Sequence, residues 1–167
     1  VSKTLVLGLG NILLQDEGVG VRVAERLRDR YTFPEGVDVL DGGVRGLALM
    51  PFLEGVSRLL IIDAVRAGKE PGTLIRLVGN EIPAVLSPKI SPHQEGLADL
   101  LWVAKIVGPC PSEIVLWGLE PAQIETGLEL SPPVAVQVDA LVQKVVEELA
   151  EWGVDVRPHV VADETTD

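Results

Sequence analysis

Short apolar runs separated by amphipathic stretches constrain this chain more than any other feature. The runs fall at residues 4–9, 37–40, 59–63, 74–78 and 113–119. They have the length of strands rather than helices. Leu59-Leu-Ile-Ile62 carries no polar residue at either parity, which is expected of a strand covered on both faces. Between the runs lie helical patterns. Val19, Val23 and Leu27 repeat every four residues after Glu17-Gly18, and Arg22, Arg26, Arg28 and Arg30 crowd the later turns, where cations complement the helix dipole. A short helix is expected over 46–53. Another opens at Ser91-Pro92-His93-Gln94, where Ser91 can cap, Pro92 suits the first helical position and Gln94 can close a capping box. Leu97, Leu100, Leu101 and Ala104 supply its buried stripe. The last helix opens at Ser131-Pro132-Pro133, runs through Val134, Val138, Leu141, Val145 and Leu149, and stops at Gly153. Alternation of this kind predicts an α/β fold, a three-layer α/β/α sandwich around a mixed, mostly parallel sheet. Pro71-Gly72 reads as a turn between the third and fourth strands, which lets the fourth run antiparallel. Residues 1–154 are expected to form one domain, with 155–167 a polar, frayed tail.

Charge narrows the partners. The chain has 14 basic and 25 acidic residues, a formal charge of -11. That balance argues against nucleic acid and anionic membrane, both of which call for clustered Lys and Arg. The single cysteine, Cys110, excludes an internal disulfide and thiolate-rich metal sites. No apolar run approaches the roughly 18 residues of a membrane span. Thr4-Leu-Val-Leu-Gly8 reads as a strand rather than a signal peptide, so the cytoplasm is the expected compartment and a monomer the default state.

Ligands of open α/β sheets collect beyond the carboxyl ends of the strands, so the residues that follow each strand locate the site. The first strand leads into Gly8-Leu-Gly10-Asn11 and on to Asp16-Glu17-Gly18; the second leads into Asp41-Gly42-Gly43; the third ends in Asp63. After the fourth, a long connection reaches His93 at a helix start. Parallel strands would put Glu17, Asp41 and Asp63 along one edge. Each has a plainer reading. Asp16 and Glu17 can cap a helix, Asp41-Gly42 can be an ordinary turn, and His93 can be bonded to a neighbouring loop. Asp63 is harder to dismiss, because a buried apolar strand seldom ends in an unpaired charge. A helix N-terminus disfavours imidazolium at His93, and neutral imidazole is the form that binds metal. Glu17, Asp63 and His93 then make a two-carboxylate, one-imidazole set suited to a borderline divalent ion.

Other chemistries fit less well. Gly8-x-Gly10 lacks the third glycine of a dinucleotide fingerprint, since position 13 is Leu. No HExxH helix and no Gly-x-Ser-x-Gly elbow occurs. Cys110 lies before the fifth strand, at the edge opposite the strand ends. The residues alone reach a metal-dependent hydrolase or a metal-binding protein.

Four segments in register go further: Leu7-Gly-Leu-Gly-Asn-Ile-Leu-Leu-Gln-Asp-Glu-Gly18, Leu40-Asp-Gly-Gly43, Leu60-Ile-Ile-Asp-Ala64 and Lys89-Ile-Ser-Pro-His-Gln-Glu-Gly-Leu97. With Gly118-Leu-Glu-Pro121, they resemble the hydrogenase maturation endopeptidases across nearly the whole chain. The resemblance implies a phosphorylase/hydrolase-like sandwich. It also implies an endopeptidase that trims the C-terminal extension of a nickel-iron hydrogenase large-subunit precursor after nickel insertion. The family's metal-binding positions match Glu17, Asp63 and His93, with Glu17 standing where many members have Asp. Asp41 matches the acid of the family's Asp-Gly-Gly stretch and is expected beside the metal or in the chemistry. Nickel would come with the precursor, and another divalent ion could substitute. On this reading Gly42 and Gly43 let backbone approach an extended substrate, and Asp41 or Glu17 takes a proton. Two rival readings remain. A non-catalytic nickel checkpoint or carrier would need the same three ligands, and a nucleotide binder would use Gly8–Gly10.

Overall fold

The apolar runs become strands in the computed structural model, which describes residues 3–82, 97, 99–101, 103–105, 108 and 110–159. In chain order the strands are β1 (Lys3–Leu9), β2 (Tyr31–Thr32), β3 (Val37–Gly43), β4 (Val56–Ala64), β5 (Leu74–Val78), β6 (Glu113–Leu119) and β7 (Arg157–Pro158). Five of them form one sheet in the order β3-β1-β4-β6-β5. All neighbours in it are parallel except β5, which runs antiparallel to β6. The turn at Pro71-Gly72 therefore does not fold β5 back onto β4. Gly72 donates its N–H to the Glu120 carbonyl (2.8 Å), which hooks the connection to the end of β6 and lays β5 on the far side of that strand.

Both faces of the sheet are covered. Val6, Leu60, Ile62 and Val115 meet α1 (Val19–Arg30) and the C-terminal helices. Leu5, Leu7, Leu59 and Ile61 meet Leu49 and Leu53 on one flank and Leu97, Leu100, Leu101 and Ala104 on the other. This is the expected three-layer α/β/α sandwich with a mixed, mostly parallel sheet. The continuous apolar run of β4 follows from that geometry, because successive side chains alternate between two buried layers. Each fully buried Leu or Ile contributes roughly 1.5–3 kcal/mol.

Several local expectations change. The segment Gly46–Leu53 is a 3-10 helix with Pro51 inside it; a residue without an N–H cannot sustain the α-helical ladder. The final helix is two pieces, α2 (Pro132–Ala135) and α3 (Val138–Glu151). Its apolar stripe, from Val134 through Leu149, is nevertheless buried as the spacing predicts. Gly153, at φ +78°, ends it. Past that point Arg157–Pro158 pairs antiparallel with Tyr31–Thr32, so part of the segment expected to fray is held against the end of α1. The helix start expected at Ser91 lies outside the described residues.

One part-buried polar network ties α3 to the sheet. Arg76 on β5 donates Nε–H to Glu148 Oε1 (2.6 Å) and Nη2–H to Oε2 (3.2 Å), and Trp117 on β6 donates Nε1–H to Oε1 (2.9 Å). The Arg76 bond, then that from Trp117, holds the Glu148 carboxyl below its ordinary value of 4.5, against the opposing effect of burial.

Candidate active site

The carboxyl ends of β1 and β4 receive the turn that leads into α1. Residues Gln15–Gly18 make one 3-10 turn and Gly18 is the N-cap of α1, so neither Asp16 nor Glu17 occupies the capping position that the sequence allows. The approach of α1 to the strands is closer than any residue but glycine permits. A Cβ on Gly20 would stand 2.0 Å from the Ile62 carbonyl oxygen and 2.4 Å from that of Leu9. A Cβ on Gly10 would stand 1.8 Å from the Glu17 carbonyl oxygen. The space in front of Gly10 is therefore filled by the chain itself. That gives this glycine a packing role and leaves a nucleotide no reason to be invoked.

This contact sets Glu17 beside the end of β4. Glu17 is 1% exposed and Asp63, the residue after Ile62, is 0% exposed. Asp63 Oδ1 accepts the Ala64 N–H (2.8 Å), and across the sheet Asp63 pairs with Gly118 of β6. A Cβ at Gly118 would lie 2.6 Å from the Asp63 carbonyl oxygen. Two carboxylates far apart in sequence thus occupy one edge, where they can receive a cation or exchange a proton.

Asp41 reaches the same edge but a different place on it. Its partner in β1 is Gly8, whose partner in β4 is Ile62, so β1 separates Asp41 from the end of β4 by about 9–10 Å, two strand spacings. Asp41 Oδ1 accepts the Gly43 N–H (2.9 Å). Arg45 donates to the carbonyls of Gly42 (3.3 Å) and Asp41 and stacks over the Phe52 ring at 5.8 Å. Asp41-Gly42-Gly43 is the last part of β3 rather than a loop beyond it. Gly42 also has an internal reason to be glycine, since a Cβ there would come within 2.7 Å of Leu7 Cδ1 and 2.8 Å of Leu9 Cδ2. His93 lies outside the described residues. Cys110 is exposed and precedes β6, at the opposite edge, as expected.

Two further acids stand at this edge: Asp16, which the sequence offers as a helix cap, and Glu120, which it shows within Gly118-Leu-Glu-Pro121. Asp16 is 0% exposed and accepts four hydrogen bonds from the segment after β6: Ala122 N–H, Gln123 N–H and Ser131 Oγ–H on Oδ2, and Ser131 N–H on Oδ1. Glu120, 6% exposed, accepts the Ala67 N–H on Oε2 (2.7 Å). Glu120 follows an apolar strand as Asp63 does, and the same rule would have found it. Nothing local announces the distant partners of Asp16. Among the described residues no group of three or more His, Cys, Asp and Glu is arranged to hold a metal. Glu17 and Asp63 supply oxygen donors of the type a divalent ion accepts.

The mixed sheet of this α/β sandwich, with Glu17 and Asp63 buried at the carboxyl edge of its parallel strands, is the arrangement to set beside known proteins. The hydrogenase maturation protease family model matches residues 21–148, and the chain belongs to that family. The hydrogenase 2 maturation protease of Escherichia coli K12 is 41% identical over 157 residues, spanning 93% of this chain and 96% of its own length. The hydrogenase expression/formation protein HupD of Rhodobacter capsulatus is 43% identical over 156 residues, 92% of this chain and 74% of its own. Among solved structures, the hydrogenase maturating endopeptidase HybD from E. coli superposes with a TM-score of 0.90 at 40% identity, covering 94% of this chain and 98% of that one. Among the described residues no helix is long and apolar enough to cross a membrane.

Proposed function

We propose that this protease removes the C-terminal extension of a nickel-iron hydrogenase large-subunit precursor once nickel has been inserted. On this reading Glu17, Asp63 and His93 would hold the nickel that the precursor brings as part of the substrate, and another divalent ion could stand in for it. The supporting observation is the burial of Glu17 and Asp63 at one sheet edge. Both side chains supply oxygen donors of the kind a divalent ion accepts.

Peptide hydrolysis needs an electrophilic carbonyl and an activated water, and a divalent ion supplies both by polarising the carbonyl and lowering the pKa of bound water. With a metal held there, Asp41 or Glu17 would take the proton from the attacking water and return it to the departing amine. Dependence on nickel insertion follows from this reading, because a precursor without the metal would lack the Lewis acid that activates the scissile carbonyl. The reaction belongs to the cytoplasm, with the chain acting as a monomer and needing neither nucleic acid nor membrane.

His93→Ala and Asp63→Ala, each incubated with nickel-loaded precursor, are expected to yield no shortened large subunit on a gel. Wild-type protein is expected to leave nickel-free precursor uncut. Intact mass of the precursor after incubation separates cutting from a checkpoint that binds and releases. Undiminished processing by both variants would overturn the assignment.

A further inference from the structure

The chemistry proposed above needs Glu17 in a fixed place, and the turn that carries it has little of its own to hold it. Gln15–Gly18 is a single 3-10 turn without a side-chain cap. Gln15 enters it at φ +51°, a left-handed conformation that a non-glycine residue keeps only when its surroundings impose it. So short a helical segment is not stable by itself.

The restraint comes from more than 100 residues away. Asp16 Oδ2 accepts from Ala122 N–H (2.9 Å), Gln123 N–H (2.9 Å) and Ser131 Oγ–H (2.6 Å), and Oδ1 accepts from Ser131 N–H (2.8 Å). The backbone adds to this. Gln15 N–H donates to the Gly127 carbonyl (3.0 Å), Asp16 N–H to that of Gln123 (3.2 Å), and Gly127 N–H to that of Leu13 (2.9 Å). A carboxylate suits the place because all four partners are donors; an amide would turn an NH2 toward at least one of them. Charge-assisted bonds of this kind are the strong ones.

We propose that Asp16 is a positioning residue for the protease reaction. By locking the Gln15–Gly18 turn to the segment 122–131, it fixes where the Glu17 carboxylate stands at the end of β4. The proposal rests on the reading of Glu17 as a nickel-facing group. A purely structural Asp16 would lower the amount of folded protein and leave the chemistry of each folded molecule alone. A positioning Asp16 lowers the rate of the folded enzyme and does so only through Glu17.

The test is a double-mutant cycle with Asp16→Asn and Glu17→Gln, read as kcat and KM for nickel-loaded precursor. Rates are taken well below the melting range and expressed per folded molecule. Asp16→Asn keeps the side-chain volume and up to three of the four bonds. It is expected to lower kcat about 10-fold or more, since small misplacement of a reacting group is costly, with KM changed less than about twofold. The double variant is expected to be no slower than Glu17→Gln, the signature of two residues acting through one group. Hydrogen exchange at residues 122–127 is expected to quicken in Asp16→Asn and to stay unchanged in Glu17→Gln. If Asp16→Asn does not fold, Ser131→Ala, which deletes only the Oγ–H donor, replaces it with a smaller loss in kcat and the same non-additivity. A double variant slowed by the product of the single effects would overturn the positioning role alone. Wild-type kcat in Glu17→Gln would overturn the reading of Glu17 and the positioning role with it.

Discussion

Gly20→Ala sets two rules against each other, and the structure decides between them. Gly20 is the second residue of α1, and in a helix alanine is favoured over glycine by about 1 kcal/mol. Helix propensity alone therefore predicts a more stable protein. The new Cβ, however, would stand 2.0 Å from the Ile62 carbonyl oxygen, 2.4 Å from that of Leu9 and 2.8 Å from the Ile62 carbonyl carbon. Contacts that close force something to shift, and the atoms in the way are backbone of two central strands, which cannot rotate aside as a side chain can. Overpacking of a rigid site costs typically 1–3 kcal/mol, and a clash with backbone belongs at or above the upper end. After the propensity gain the net loss is about 2 kcal/mol or more, which at 2 kcal/mol is roughly 4–8 °C in melting temperature for a chain of this size. Lifting α1 off the strand ends also moves Glu17 away from Asp63, so processing of nickel-loaded precursor is expected to fall more than the loss of folded protein explains. Urea unfolding followed by tryptophan fluorescence gives the stability, and a gel-shift assay at a temperature where both proteins are folded gives the activity. A Gly20→Ala protein as stable as wild type, or more so, would show that α1 does not sit on the strands as described.

The Glu148 network predicts an acid-sensitive contribution to stability. Its carboxyl is depressed below 4.5 by Arg76 and Trp117, so the stabilisation is complete above about pH 4.5 and is lost as pH falls through the lower folded value. Glu148→Gln is expected to be less stable at pH 7 by about 1–2 kcal/mol, because Arg76 is partly exposed and its pairing is screened. The gap closes toward pH 3 in urea melts taken across that range; a gap independent of pH would refute the linkage. Cys110 is exposed and at the edge away from the carboxylates, so Cys110→Ser should keep full processing activity and stability within about 0.5 kcal/mol. Loss of processing in that variant would reopen a thiol mechanism.

What the sequence disclosed and what it withheld divide along one physical line. Whatever depended on a residue's own segment was readable. Leu59-Leu-Ile-Ile62 announced a strand with two buried faces, the spacing of Val138, Leu141, Val145 and Leu149 announced a buried helix stripe, and an acid ending an apolar run marked Asp63. Contacts made between segments were not readable. Nothing in Leu74–Val78 says that its partner is β6 rather than β4, since either neighbour would bury the same side chains. Asp16 looked like a helix cap because Asp before a helix usually is one, yet its four partners come from Ala122, Gln123 and Ser131, and three of those four donors are backbone N–H groups that every non-proline residue carries. Gly42 looked like room for a substrate, and its Cβ position proves to be occupied by Leu7 and Leu9. A glycine records that a Cβ is excluded without recording by what, and a buried acid records that donors are nearby without recording from where. Strand topology alone carries Glu17 and Asp63 to the sheet edge, whereas the hydrogen bonds on Asp16 became visible only with the packing of the 122–131 segment. Sequence rules of this kind therefore locate the groups able to do chemistry more readily than the groups that hold them in register, and the second set is where mutational tests of the site have most to add.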